Sequence, residues 1–342
     1  MTLALVSVGL ASHLDLSLRA IEAARGAHVV YAETYTMKLD TDVETLEKII
    51  GRPITPLPRR GLEEEAARLL EAAENSNVAV LVGGDALAAT THLSLLVDAA
   101  KRSIPVRVIH GSSVFTAIAE TGLSLYKFGR TVTVPLPEKG PVDTVLRAIK
   151  ENQEHCLHTL LLLDLDIPEE RYLTVPEAIT RLMETGLFPG DTLMVAAARL
   201  GSDTRLIRAD TALNLKDADL EAPPYALVVP GQLHFLEKEA LKTLGGCPPA
   251  LLEGRRVRGE IDRLVEKYLS ACRRVLEDVR LAQPPVEVDE EKVVGLMDHV
   301  RRYMEDADYY RVDQKPVALT SVAYAEGILD ALKLLGLAEF EW

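Results

Sequence analysis

Val78-Ala79-Val80-Leu81-Val82-Gly83-Gly84-Asp85-Ala86-Leu87-Ala88-Ala89-Thr90-Thr91-His92 is the stretch on which the fold turns. Its first five residues form a short, continuous apolar run rich in valine, bounded by glycines, and read as a strand buried on both faces. The strand empties into two glycines and an acid. Glycine lets the backbone take φ > 0 and approach a ligand, and open α/β sheets bind ligands at the carboxyl ends of their strands. A tight turn capped by Asp85 accounts for the same residues, so on this stretch alone both readings stand.

Outward from this run, further strand-like segments recur at residues 3–8, 28–32, 106–110, 131–134, 159–163, 192–197 and 225–229, with helical segments between them. In one of these helices, residues 62–73, Leu62, Ala66, Leu69, Leu70 and Ala73 fall on one face. The alternation predicts an α/β architecture with parallel strands and helical crossovers. Around residues 131–137 the rhythm weakens, with Pro135 and Pro137, which marks the passage to a second α/β unit. The expected lobes are residues 1–111 and 112–246. After Gly245-Gly246-Cys247-Pro248-Pro249 strand signals nearly vanish. Residues 259–280, 290–310 and 316–335 read as helices, the first two separated by a loop with Pro284-Pro285. Residues 252–342 are therefore expected to form an all-α appendage.

Composition narrows the function. The formal charge is −14, and both parts are acidic: 24 basic against 33 acidic side chains in residues 1–249, and 14 against 19 in residues 250–342. Nucleic-acid binding rests on positive patches that release phosphate counterions, so direct nucleic-acid binding is not expected. Apolar runs such as Leu160-Leu161-Leu162-Leu163 are far too short to span a bilayer, and the amino end lacks the pattern of a secretory signal. The expectation is a cytoplasmic protein with no membrane partner. Cys156, Cys247 and Cys272 are widely separated, which suggests neither a disulfide framework nor a zinc site. Four Asn and four Gln alongside plentiful Glu and Arg resemble the composition of proteins from hot environments.

Several common sites are absent by motif. After residues 3–8, Gly9 is followed by no further glycine until Gly26, so the GxGxxG dinucleotide fingerprint is missing, and no GxxxxGK[ST] occurs. His92, His110, His158 and His234 lack HxxxH or HxH spacing, no metal site is expected, and each suits a hydrogen-bonded structural role. Ser112 and Ser113 lie outside any GxSxG elbow and suit helix caps. Four segments nevertheless follow strand ends: Gly9-Leu10, residues 83–92, His110 to Val114, and Pro230 to His234. A sheet bringing several of them to one rim would make a ligand site.

The wording and order of these segments resemble the diphthine synthase family, within the tetrapyrrole-methylase-like class of S-adenosylmethionine-dependent methyltransferases. The resemblance spans roughly residues 1–245. It runs through Gly9-Leu10, Val29-Val30-Tyr31-Ala32-Glu33 with Tyr35-Thr36, Gly84-Asp85, Ala89-Thr90-Thr91-His92 and Val108-Ile109-His110-Gly111. It continues through Gly122-Leu123, Tyr126-Lys127-Phe128-Gly129, Leu157-His158-Thr159-Leu160, Leu163-Asp164, Ala198-Arg199-Leu200-Gly201-Ser202, Val229-Pro230-Gly231 and Leu233-His234. The end of the chain, residues 318–336 with Ser321 to Leu332 at their centre, resembles a small archaeal helical domain of unknown function.

The resemblance implies a two-lobed tetrapyrrole-methylase-like fold, with S-adenosyl-L-methionine in the cleft between the lobes, and a homodimer. It implies methylation of the amino group of the 3-amino-3-carboxypropyl-histidine of translation elongation factor 2, giving diphthine, a step of diphthamide biosynthesis. By motif position the implied cofactor contacts are Leu10, Asp85, Ala88, Ser113, Val114, Leu163, Leu200 and His234; no catalytic base is implied. Ala86 stands where the family usually has proline, and Ser12-His13 replace a common acidic pair. The alternatives are a tetrapyrrole C-methyltransferase of the same fold and a non-catalytic ligand-binding protein acting through its helical appendage.

Overall fold

Successive residues of a strand point to opposite faces of its sheet. In β1 (Leu3–Gly9) every residue is buried, so this strand needs cover on both sides. The computed structural model, which describes residues 1–35, 38–63, 65–255, 257, 260–281 and 289–342, supplies it. Helices α1 (Leu18–Arg25) and α2 (Val43–Ile50) cover Ala4, Val6 and Val8. Helices α4 (Ala66–Asn75) and α5 (Leu93–Lys101) cover Leu3 and Leu5. The connecting strands are β2 (Val29–Glu33), β3 (Ile54–Leu57), β4 (Val78–Gly83) and β5 (Val106–Ile109), with a short helix α3 (Arg59–Glu63) after β3. All pair in parallel in the order β3-β2-β4-β1-β5. The carboxyl ends of β4, β1 and β5 thus lie side by side.

A second five-stranded sheet has the order β11-β10-β12-β7-β6. Its strands are β6 (Val132–Val134), β7 (Thr159–Leu163), β10 (Leu193–Ala198), β11 (Leu206–Thr211) and β12 (Tyr225–Val229); β8 (Leu165–Asp166) and β9 (Arg171–Tyr172) form a separate hairpin. Helices α6 (Val114–Ala117), α7 (Asp143–Glu154), α8 (Val175–Glu184), α9 (Ala212–Lys216) and α10 (Phe235–Gly245) complete the region. Here the expectation of parallel pairing fails. Only β6 and β7 run parallel, while β7, β12, β10 and β11 alternate in direction. The physical cause between β10 and β11 is length, since residues 199–205 fall short of the roughly dozen residues a parallel crossover needs.

Contacts divide the chain into two compact units, one of residues 1–152 and 157–255 and one of residues 153–156 and 256–342. Both sheets belong to the first. In the second, α11 (Glu260–Asp278), α12 (Glu290–Tyr310) and α13 (Lys315–Leu334) share a core that includes Leu269, Cys272, Met297, Val300, Val322 and Leu329. A two-residue strand pair, β13 (Arg280–Leu281) and β14 (Ala338–Glu339), ties the segment after α11 to the segment after α13. Thr36, Glu64, Gly259 and the Pro284-Pro285 loop lie outside the described residues. The helix expected over residues 62–73 is two helices, α3 and α4, with Glu65 between them holding Arg60 and Arg68 as ion pairs.

Candidate functional site

The glycines after β1 and β4 meet. Gly9 N–H donates to the Gly84 carbonyl at 3.2 Å and Gly84 N–H donates to the Gly9 carbonyl at 2.7 Å. Gly9 has φ +96°, and a Cβ there would sit 2.2 Å from the Asp15 Cβ; Gly84 has φ +68°. No other residue tolerates both demands at Gly9. Asp15 in turn accepts from the Ala11 N–H at 2.7 Å and closes the capping box opened by Ser12. An acid therefore does serve the β1 loop, two residues beyond the Ser12-His13 departure.

Asp85 locks the next loop to the one after β5. Its Oδ1 accepts from the Leu87 N–H at 2.9 Å, and its Oδ2 accepts from the Gly111 N–H at 3.1 Å and lies 2.8 Å from His110 Nδ1. The Leu87 bond is an Asx turn rather than a helix cap, for α5 begins only at Leu93. Burial pushes the Asp85 carboxyl up, but the hydrogen bonds from Leu87, His110 and Gly111 outweigh it and hold it below the ordinary carboxylate value. The Ala86 N–H donates to the buried Ser7 hydroxyl at 2.9 Å, and the Ala86 carbonyl meets His92 Nδ1 at 3.0 Å. Further along the same loop Ala89 takes φ +57°. Ser113 caps α6, its hydroxyl accepting from the Phe115 N–H.

These loops form one wall of a cleft of about 360 Å³, within the ~300–1,000 Å³ usual for small-molecule sites. Leu10, Asp85, Ala88, Ser113, Val114, Leu163 and Leu200 all line it. So do Thr133, Leu162, Pro224, Tyr225 and Ala226 from the second sheet, which sequence reasoning missed. Charge enters through Lys38, Arg59, Asp85 and Asp164. Asp164 is engaged internally, accepting from the Leu136 N–H at 3.1 Å, the Leu165 N–H at 2.9 Å and Lys139 Nζ at 3.3 Å. A larger groove of about 560 Å³ lies on α12 and α13, but its lining holds no charged residue. The smaller cleft is the one equipped for chemistry.

His234, implied as a cofactor contact by motif position, is not among the lining residues: of the four strand-end segments three reach this rim, through Gly9-Leu10, Gly83 to Thr90 and Ser113-Val114, and the fourth does not. β12 runs antiparallel to β7 and β10, with Tyr225 opposite Ala198 and Val229 opposite Thr159. The amino end of β12 therefore meets the cleft, and the segment after its carboxyl end leaves from the far edge of the sheet. There His234 caps α10, its ring nitrogen accepting from the Leu236 N–H at 3.4 Å while Glu237 accepts from the His234 N–H at 2.7 Å.

The same far edge explains two motif segments that the cleft does not use. His158, fully buried, accepts the Gly231 N–H at Nδ1 (2.9 Å) and so donates from Nε2 to Glu237 at 3.0 Å. Glu237 also accepts from the Ser124 N–H at 3.0 Å and pairs with Lys127, whose ammonium donates to the Gln232 carbonyl as well. Burial pushes the Glu237 carboxyl up, yet Lys127 and these donors prevail and lower it to about 2. Burial lowers His158, against the opposing pull of Glu237. Lys127 and His158, one from each of these motif segments, thus build an ion network around buried Glu237.

Compared with known proteins, residues 2–215 match the family model for Tetrapyrrole (Corrin/Porphyrin) Methylases. Residues 267–338 match the family described as Protein of unknown function (DUF357). A diphthine synthase of Methanosarcina barkeri is 40% identical over 268 residues, covering 73% of this chain and 98% of the relative. One from Methanocaldococcus jannaschii is 36% identical, covering 71% and 98%. A crystal structure of diphthine synthase superposes with a TM-score of 0.70 at 36% identity, covering 73% of this chain and 98% of that one.

Proposed function

The chain belongs to the tetrapyrrole (corrin/porphyrin) methylases, and from that membership we propose that it carries out the diphthine synthase reaction on translation elongation factor 2. The observation that carries this reading is the 40% identity over 98% of a diphthine synthase, together with a cleft formed by the segments on which the resemblance rests. The chain is a methyltransferase that uses S-adenosylmethionine. The cleft suits that donor: two glycines at positive φ bring backbone close, and the remaining wall is mostly apolar, as an adenine face requires.

When bound, the cofactor supplies an electrophilic methyl group on a sulfonium. The protein's own contribution is then placement, because in-line attack by an amine needs a near-attack alignment more than acid–base assistance. Leu10, Ala88, Val114, Leu163 and Leu200 supply apolar contact, Ser113 shapes the α6 start, and Asp85 fixes two loops against each other. We place the amino end of β12, at Pro224 to Ala226, in the contact set where the motif implied His234. The acceptor in this reading is the amino group of the 3-amino-3-carboxypropyl-histidine, methylated to give diphthine within diphthamide biosynthesis. We further propose a cytoplasmic homodimer.

The test is transfer of labelled methyl groups from S-adenosylmethionine to elongation factor 2 that carries the aminocarboxypropyl-histidine. Label should appear on that factor and not on the factor lacking the precursor. Absence of label on both, with the cofactor bound, would falsify the assignment.

A further inference from the structure

Arg199 belongs to the motif Ala198-Arg199-Leu200-Gly201-Ser202, yet it does not line the cleft. It stands just past β10 at φ +51°, a conformation that a long side chain keeps only where its surroundings enforce it. Nε donates to the Thr204 carbonyl at 3.0 Å and to the Thr204 hydroxyl at 3.1 Å. Nη1 donates to the carbonyls of Leu220 at 3.1 Å and Ala222 at 2.6 Å, and Nη2 donates to the Thr204 carbonyl at 2.8 Å and the Glu221 carboxylate at 2.7 Å. A guanidinium has five N–H donors in a fixed plane. Here all of them are spent inside the protein, and the side chain is only 13% exposed.

Its acceptors lie on two segments that both lead into the cleft wall. Residues 199–205 connect β10 to β11 and carry Leu200, while residues 220–222, outside any helix or strand, run on to Pro224, Tyr225 and Ala226. Backbone carbonyls outside regular structure need donors from elsewhere. Arg199 donates to those of Leu220 and Ala222, the Tyr225 hydroxyl donates to that of Glu221, and the Arg199 N–H donates to that of Pro224 at 2.9 Å. Glu120 fixes the other side of the 199–205 turn, accepting from the Gly201 N–H at 2.9 Å and pairing with Arg205 at 3.0 Å. A Cβ on Gly201 would stand 3.4 Å from that of Leu10, so the turn also abuts the loop after β1.

Resting on the reading of the cleft as the S-adenosylmethionine site, we infer that Arg199 is a positioning residue for the cofactor. It sets the spacing between Leu200 and the Pro224–Ala226 segment, and through them the fit of the second-sheet wall, without touching the ligand. The task requires a planar fork, because one group must reach carbonyls on two separate segments at once. A lysine ammonium is a compact point charge that can keep the ion pair with Glu221 but cannot span both segments. Glu221 itself is the dispensable partner, since its side chain is 68% exposed and exposed ion pairs contribute little.

The experiment compares the full-length wild type with Arg199→Lys, Glu221→Gln and Glu120→Ala. It measures S-adenosylhomocysteine affinity and binding stoichiometry by calorimetry, Tm without ligand, and the KM of each substrate in methyl transfer to elongation factor 2 bearing the aminocarboxypropyl-histidine. Arg199→Lys should weaken S-adenosylhomocysteine binding about tenfold and raise the S-adenosylmethionine KM in step, with the acceptor KM within about twofold. Glu221→Gln should stay within about twofold of wild type in affinity and both KM values. Glu120→Ala acts on the same turn from a half-buried position, keeps the test open if the arginine variant does not fold, and should weaken S-adenosylhomocysteine binding about threefold. An arginine with a purely structural role would lower Tm and the number of binding-competent molecules while the affinity of the folded ones stayed unchanged. That result overturns the proposal, as does a rise confined to the acceptor KM, or unchanged affinity in Glu120→Ala where Arg199→Lys fails to fold. Wild type that binds no S-adenosylhomocysteine overturns the reading of the cleft and this role with it, whereas wild type that binds it but leaves the factor unlabelled overturns the diphthine synthase reading alone.

Discussion

Glu237 carries a carboxylate held well below its ordinary pKa by four donors, and this has a pH signature. Its folded value is about 2, whereas an unfolded glutamate titrates near ~4.3. A depressed carboxylate contributes stability that is present above the unfolded value and lost as pH falls through the folded one. Glu237→Gln should therefore lower stability at pH 7 by on the order of 3 kcal/mol, following the shift at ~1.4 kcal/mol per unit. The difference from wild type should close between about pH 4 and pH 2, as read from urea midpoints across that range. At this scale the sequence was legible where a residue's role is local. Ser113 reads as a cap and is one, and His92, His110 and His158 read as hydrogen-bonded structural groups and are so placed. Glu237 was not legible, because three of its four donors, Ser124, Lys127 and His158, lie 79 to 113 residues away in sequence.

At the scale of elements, the missed strands share a cause. β3 and β11 are both sheet edges. The first contains Pro56, tolerated where one side of the strand need not donate. The second sets exposed Arg208 between buried Ile207 and Ala209 and ends in half-buried Asp210 and Thr211. These two edge strands lack the continuous apolar run by which β4 was read. The direction of β12 was equally hidden, since an apolar run is the same read either way along a sheet. The consequence falls on α10, where His234 acts as the cap. His234→Ala should lower Tm by a few degrees, corresponding to about 1 kcal/mol for a lost cap. S-adenosylhomocysteine affinity should stay within about twofold. A tenfold loss of affinity with unchanged Tm would return His234 to the cofactor.

For the whole molecule, every residue lining the cleft belongs to the first unit, residues 1–152 and 157–255. The relatives are covered over 98% of their own length by about 73% of this chain, so the fold they share with it needs no counterpart of the helical appendage. A chain ending at residue 255 should accordingly bind S-adenosylhomocysteine within about threefold of the full-length protein, as measured by calorimetry. Loss of binding in a fragment whose circular dichroism still shows the folded α/β signal would make the appendage part of the cofactor site. The appendage has its own core, and two of its tyrosines, Tyr303 and Tyr324, stack on each other at 5.5 Å.

The chain's sequence by itself determined the layered α/β architecture, the change to helices after residue 252, and the loops of β1, β4 and β5 that would face a ligand. These follow from hydrophobic period, glycine at turns and motif order, all of which are local properties. Only the tertiary structure decided which loops share a rim. That depends on strand order and direction, which rest on pairings between distant segments. The β4 loop joined the β1 loop because their strands are parallel neighbours, and the segment ending in His234 went elsewhere because β12 is reversed. Lys38 and Arg59 likewise reach the cleft only once β2 and β3 are laid beside β4.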